Sequence, residues 1–550
     1  MNGKWNLNSL YPGFNSQQFM ADSASLMRLS LELSELEPRL TAGSPPEQTI
    51  RTYLEKLEAF EGLYQKLYSY AAFRFSAATN DGEAAQSMVR FREIYASTAR
   101  VRVAFSAFLN APEAKQLVEE GAFGDYTYYL KNQIHCQNHS LSLKGEAVLS
   151  ALEVTGSQAW AGLYAKAVAA KDQDENTAHT AAAALNAIKG ESLAVCRLRG
   201  YTSPLEEALD KYHFDPRILE NQMAAVEQYL PELQDYFRIK AQALGYADGL
   251  PYDERERLIL GADRRFEMDD AKTLILDAFG AFSPRMEGFA RRFFEAGWID
   301  SEVRAWKEVG ASCDAVWLAK ESRIRMAYRG TVGDVNSLAH ELGHGYHFEN
   351  LFGQSLLNCR YDLPVAEVAS KFAEMLFKEQ LRKTLPEEDR LFCEEFMLSS
   401  CINTIVDISA RFYFEQALFA CRKNAELSVE DLDELMRQAQ QRSYGDALDP
   451  RGHNTRTWMT KPHYYNAQRN FYNFPYQFGT LLSVQMLERW HQDPMGFAKD
   501  YDRFLSATGQ YDVLDLCKIL DMDLLDPDFF RAPLRILTRH LDRFRQELPL

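Results

Sequence analysis

The chain has 550 residues, 46% of them hydrophobic, and a formal net charge of −17. This is ample apolar material for a large core in more than one lobe, while the negative balance argues against nucleic acid or an anionic membrane surface as the main partner. Eight Cys are scattered without a CxxC pair, no signal peptide opens the chain, and no apolar run approaches the ~20 residues of a bilayer span, so reduced thiols in a cytoplasmic protein are expected.

Residues 1–200 read as successive long amphipathic helices, at 26–40, from 47 past 70, and at 83–110. Gly43-Ser44-Pro45-Pro46 and Asn110-Ala111-Pro112 are turns between them, and the Ala-rich run at 180–187 favours helix strongly. His135 and His139 are four residues apart, but no base lies between them and no acidic partner lies nearby in the sequence. They read as a structural or surface pair, because ligand count decides metal sites.

From Tyr201 to Ala311 the pattern stays helical, with turns at Gly249-Leu250-Pro251 and from Gly280 to Pro284. The stretch 311–330 is the main strand signal: Ile324, Met326 and Tyr328 alternate with Arg323, Arg325 and Ala327, as in a half-buried strand. Such a strand, if at an edge, can pair with an extended peptide through main-chain hydrogen bonds; a strand paired on both sides is the alternative. Gly330 and Gly333 break the strand, and Asp334 is a good N-cap for the next helix.

That helix holds His340-Glu341-Leu342-Gly343-His344. One turn apart, His340 and His344 leave the same face and offer two neutral nitrogens to one Zn²⁺. Glu341 is rotated about 100° around the axis, placed to act as general base without being a ligand. The acidic candidates for a third ligand are Glu349, Asp362 and Glu367. Glu349 follows His344 too closely, and Asp362 suits an N-cap before Pro364. Glu367 shares a helix face with Ser370 and Glu374, a polar stripe that is costly amid Val365, Val368, Phe372 and Leu376 unless something satisfies it. Glu367 as ligand and Glu374 holding the outer nitrogen of a zinc histidine would do so; a solvated amphipathic face is the bland alternative.

Helices continue to about Gln441. Gly445 to Asn454 breaks the pattern, and 461–479 is an aromatic-rich run beginning at His463, with more ring density than one core helix needs. His347, His453 and His491 read as structural.

The stretch 330–344, with Pro364-Val365-Ala366-Glu367-Val368-Ala369-Ser370, resembles oligoendopeptidase F, among the thimet oligopeptidase-like zinc metallopeptidases. Trp5-Asn6-Leu7, Leu10-Tyr11 and Arg199 to Leu209 resemble further family segments, so the resemblance spans most of the chain. It implies a mainly α, two-lobed zincin-type fold with a small sheet beside the zinc helix and a deep central channel. It also implies a division into an N-terminal helical region, 1–200, and a catalytic region, 201–550. One Zn²⁺ per chain would be held by His340, His344 and Glu367, with a zinc-bound water activated by Glu341 attacking internal bonds of short unfolded peptides. His463, Tyr472 and Tyr476 are the expected oxyanion donors, although the order around Phe474-Pro475-Tyr476 departs from the family pattern.

Two competing readings remain at this level. A metallocarboxypeptidase would need a basic anchor for the terminal carboxylate, and no Arg stands out for that role. A peptide-binding scaffold without turnover would have no use for Glu341.

Overall fold

The computed structural model describes residues 3–40, 43–169, 174–261 and 263–549. The N-terminal part consists of α1 (Gln17–Ser34), α2 (Pro46–Ala77), α3 (Gly82–Ser97), α4 (Ala99–Leu109), α5 (Pro112–Glu119) and α6 (Thr127–Asn138). Next come α7 (Leu143–Thr155), α8 (Ser157–Ala169), α9 (Glu175–Leu198), α10 (Pro204–Lys211), α11 (Pro216–Ala243), α12 (Met268–Phe282) and α13 (Pro284–Glu295). Three short strands, β1 (Ile299–Asp300), β2 (Ser312–Val316) and β3 (Glu321–Arg325), precede α14 (Val332–Leu351) and α15 (Leu363–Thr384). The remainder is α16 (Arg390–Arg422), α17 (Val429–Tyr444), α18 (Phe474–Gln492), α19 (Pro494–Ala507), α20 (Val513–Lys518) and α21 (Arg531–Glu547).

Local chemistry adjusts the expected boundaries. The helix expected at 26–40 starts earlier, where the Ser16 side chain accepts from Phe19 N–H, and stops at Ser34 before a 3-10 turn holding Pro38. The helix expected at 83–110 is two helices. Thr98 turns its hydroxyl back to the Tyr95 carbonyl at 2.8 Å and breaks the continuity between α3 and α4.

Buried apolar side chains form two clusters. One runs from Leu10 to Ile134 and recruits Val316 and Leu357; the other runs from Tyr164 to Leu548. The sheet is ordered β1-β3-β2, with β1 parallel and β2 antiparallel to β3, and Cys313 opposite Ile324. β3 is therefore the central strand and is not half-buried as its alternation suggests: Ser322 to Arg325 are all buried. The N-terminal segment covers the expected polar face. Arg323 donates to Ser9 Oγ at 2.8 Å and to Glu321 at 2.7 Å, and its guanidinium lies over Trp298. Arg325 donates to the Glu308 and Gly310 carbonyls. Met326 and Tyr328 lie beyond the strand end.

α14 begins one turn earlier than Asp334 suggests. Thr331 is the N-cap, and Asp334 completes a capping box by accepting from Thr331 N–H at 3.0 Å. Val335, Leu338, Ala339, Leu342 and Tyr346 are 0% exposed. Burying a side chain the size of Leu contributes about 1.5–3 kcal/mol, which pins this helix inside the body. A Cβ added at Gly343 would meet the Ala369 carbonyl oxygen and Ser370 Cα at 2.7 Å, so glycine lets α14 lie directly on α15. Gly479 does the same for α18 on α15, where a Cβ would sit 3.2 Å from backbone and side-chain atoms of Glu367.

Candidate active site

Close contact of α14 with α15 brings His340, His344 and Glu367 together, with one ligand atom from each within 4.8 Å of the others. His340 Nε2 is 3.7 Å from Glu367 Oε2. His340 Nδ1 faces Glu374 Oε1 at 2.8 Å, so the ring is oriented with Nε2 toward the trio. Burial holds the His344 imidazole well below its ordinary pKa, with His340 adding to the effect; it is neutral, as a ligand must be. Burial also opposes charge on His340, but the bond and charge of Glu374 outweigh it and raise its pKa. Ser370 Oγ donates to Glu367 Oε2 at 3.2 Å and fixes that carboxylate. The donor set, two imidazoles and one carboxylate with one imidazole braced from behind, suits Zn²⁺.

Glu341 is 6% exposed, and burial pushes its carboxyl up to about 7, with His340 opposing and Glu367 adding. A carboxylate with that basicity is matched to proton transfer near neutrality. Glu374 is opposite in character. Burial penalises its charge, but Lys371 Nζ at 2.7 Å and Lys378 Nζ at 2.9 Å hold it well below the usual carboxylate range. The sequence reading missed these two lysines. Their signal was spacing, because Lys371 and Lys378 flank Glu374 at i−3 and i+4 on one helix.

His463, Tyr472 and Tyr476 form a second cluster. The rings of His463 and Tyr472 are 5.7 Å apart, and Tyr476 donates its hydroxyl to Tyr472 at 3.0 Å. His463 lies in a 3-10 turn, Pro462–Tyr465, and Tyr476 in the first turn of α18. All three line a cavity of about 770 Å³ together with Lys371, Asn473, Arg411 and Thr331–Gly333. The cavity thus reaches the cation beside Glu374 and the start of α14. Glu367 raises the pKa of Tyr476, second to burial, in keeping with the close approach of α18 at Gly479. Burial and the nearby Arg411 and Lys189 push His463 down to about 3, so it is neutral. Asn473 Nδ2 donates to His463 Nε2 at 2.7 Å, which places the ring proton on Nδ1.

Other histidines are explained without a metal. His347 Nε2 bonds Thr508 Oγ1 at 2.8 Å, His453 bonds Gln440, and His491 pairs with Glu379. One expectation is corrected: His135 does have an acidic partner, since folding sets Asp210 of α10 at 2.6 Å from its Nε2. Asp362 is the N-cap position of α15 and accepts from His213 Nδ1 at 2.9 Å, while Glu349 pairs with Arg292 at 2.6 Å; neither joins the trio.

A His-Glu-x-x-His helix packed on a Glu-bearing helix, inside a mainly helical body with a small sheet, defines a metalloendopeptidase. Residues 277–536 match peptidase family M3, and residues 109–171 match oligopeptidase F. The chain belongs to peptidase family M3. An oligoendopeptidase F homolog from Lactococcus lactis subsp. lactis is 23% identical over 599 residues of alignment, covering 98% of this chain and 96% of the relative. The crystal structure of oligoendopeptidase F from Enterococcus faecium aligns with a TM-score of 0.65 at 17% identity, over 96% of this chain and 99% of that one. A Chlamydophila abortus protein aligns at 0.78 and 20%, over 98% of both chains.

Proposed function

We propose that the protein is a zinc-dependent oligoendopeptidase that hydrolyses internal bonds of short, unfolded peptides, with one Zn²⁺ per chain held by His340, His344 and Glu367. The convergence of those three ligand atoms beside Glu341 is the observation that supports this reading best. Bound there, Zn²⁺ would polarise the scissile carbonyl and acidify water. Glu341 takes the proton of the attacking water and returns it to the leaving amine. Tyr472, whose oxygen accepts from Tyr476, keeps its own proton to donate to the oxyanion. His463 offers Nδ1–H to the same developing charge, since Asn473 occupies Nε2. Glu374 keeps Nε2 of His340 aimed at the ligand position.

Within the sheet β2 pairs with β3 alone; Gln65 of α2 occupies the Ala315 carbonyl and the Trp317 N–H, and the part of this edge strand before them, beside α14, is suited to hydrogen-bonding an extended substrate backbone irrespective of its side chains. The cations of the cavity favour internal cleavage over release of C-terminal residues. Arg411 is committed to Asp407, Lys371 to Glu374 and Arg257 to Glu254, so each positive charge already has a carboxylate. In this reading 201–550 performs the chemistry, and the lobes share both segments, since α8 and α9 of the 1–200 region pack into the same core as the catalytic helices. The expected setting is cytoplasmic.

The test is hydrolysis of a fluorescence-quenched peptide of about ten residues, a length suited to a cleft of this size, with products identified by mass. Internal cleavage that chelation abolishes and Zn²⁺ restores is expected. Stepwise C-terminal trimming would replace the reading with a carboxypeptidase, and metal binding without any cleavage would replace it with a binding scaffold.

A further inference from the structure

His135 and His139 project from the same face at the end of α6, and the fold brings Asp210 of α10 to them from the other side. One ligand atom from each of the three lies within 4.8 Å of the others. The two imidazoles come from the N-terminal helices and the carboxylate from a helix of the larger core, so the cluster spans a junction between parts of the molecule.

The surroundings prepare these groups for a cation. His139 Nδ1 faces the Arg199 carbonyl oxygen at 3.0 Å, which fixes the ring proton there and leaves Nε2 with its lone pair. Arg199 also donates to the His139 carbonyl at 3.2 Å and is anchored on Glu146 at 2.9 Å, so the brace is itself held. Tyr201 positions two of the three ligands at once. Its ring stacks on His139 at 4.0 Å, and its hydroxyl donates to Asp210 Oδ2 at 2.5 Å, leaving Oδ1 for His135. Outer partners of this kind are what metal-ligating histidines and carboxylates ordinarily have. Cavities of about 670 and 280 Å³ flank the cluster, one lined by His135 and the other by His139, with Asp210 in both. They leave room for solvent to complete the coordination.

We propose that His135, His139 and Asp210 form a second divalent-cation site, separate from the active centre, that takes Zn²⁺ or a similar borderline transition ion and clasps α6 to α10. Two imidazoles and one carboxylate select such ions over Mg²⁺ or Ca²⁺, which favour all-oxygen sites. The His135–Asp210 contact of 2.6 Å is the metal-free form of the clasp, and binding replaces the proton between them with the ion. Three protein ligands with solvent completing the shell make an exposed site, of lower affinity than the enclosed trio. This inference does not depend on the catalytic reading.

The experiment compares zinc uptake by chelator-stripped full-length protein and its His139→Ala and Asp210→Asn variants, using equilibrium dialysis against Zn²⁺ and elemental analysis. The unmodified chain is expected to bind one equivalent more than either variant, whatever the occupancy of the active centre. Zn²⁺ is expected to raise its melting temperature further than it raises theirs. In parallel, the unmodified chain is treated with diethyl pyrocarbonate with and without Zn²⁺, and modified histidines are mapped by mass. Zn²⁺ should protect His135 and His139, a result that needs no variant to fold. Equal stoichiometry in all three proteins, or modification of His139 unaffected by Zn²⁺, would overturn the site and leave a simple His–Asp ion pair.

Discussion

Glu374 is held from three directions, by His340 and by two lysines of its own helix. Replacing it with Gln keeps the shape but loses the charge that orients His340 and balances Lys371 and Lys378. Zinc affinity is expected to fall about 10–100-fold, read by competition with a chromogenic chelator. Glu341→Gln should do the reverse. Zinc uptake should be unchanged while kcat falls about 10²–10⁴-fold, because only the proton acceptor is removed; unchanged turnover would refute its role as base. Tyr472→Phe should lower kcat by about 10²–10³-fold with little change in KM if its hydroxyl meets charge only in the transition state. His347 contributes a pH dependence of stability. Burial depresses its pKa from 6.5 to about 3, so the folded chain refuses a proton that the unfolded chain accepts. Its stabilisation is complete above 6.5 and is lost as pH falls toward 3, by about 1.4 kcal/mol per pH unit. His347→Gln should therefore flatten the acid side of a urea-midpoint profile by one proton.

At the scale of elements, the site depends on how closely three helices approach. Gly343→Ala would drive a methyl group against the Ala369 carbonyl and Ser370 Cα, both 2.7 Å from the new carbon and both backbone. The helices must separate, at an expected cost of about 1–3 kcal/mol in denaturant unfolding. Because Glu367 rides on α15, zinc affinity should fall in the same variant; an unchanged affinity would mean that the trio does not depend on this contact. The periodicity of 332–351 announces a helix, but not that α14 is enclosed nearly all round. Enclosure shows only when Gly343, Gly345 and the surrounding rings are placed in space. β3 teaches the same point. Its Arg-apolar alternation has the form of a half-exposed strand, but the segment around Asn6 and Ser9 folds over Arg323, and the Glu308 and Gly310 carbonyls receive Arg325, supplying the acceptors that make burial possible.

For the whole molecule, the close approach of α18 to α15 at Gly479 makes the ligand trio and the His463–Tyr472–Tyr476 group neighbours, although nearly a hundred residues separate Glu367 from His463 in the chain. No helix among the described residues is long and apolar enough to cross a membrane. A folded protein should resist cleavage under conditions in which its unfolded fragments are cut, because the proposed pairing with β2 takes only an extended backbone.

The sequence by itself determined the helical character, the i, i+4 spacing of His340 and His344, the placing of Glu341 between them and the Glu367–Glu374 stripe. These are local: a turn of helix sets which side chains share a face, and i+4 or i+7 spacing survives in any context that keeps the helix. The tertiary structure alone decided that Thr331 rather than Asp334 caps α14 and that β2 rather than β3 has the edge. It also decided that Asp210 meets His135. Each of these depends on a partner distant in sequence or on the competition among several adequate local partners, and only packing selects between them.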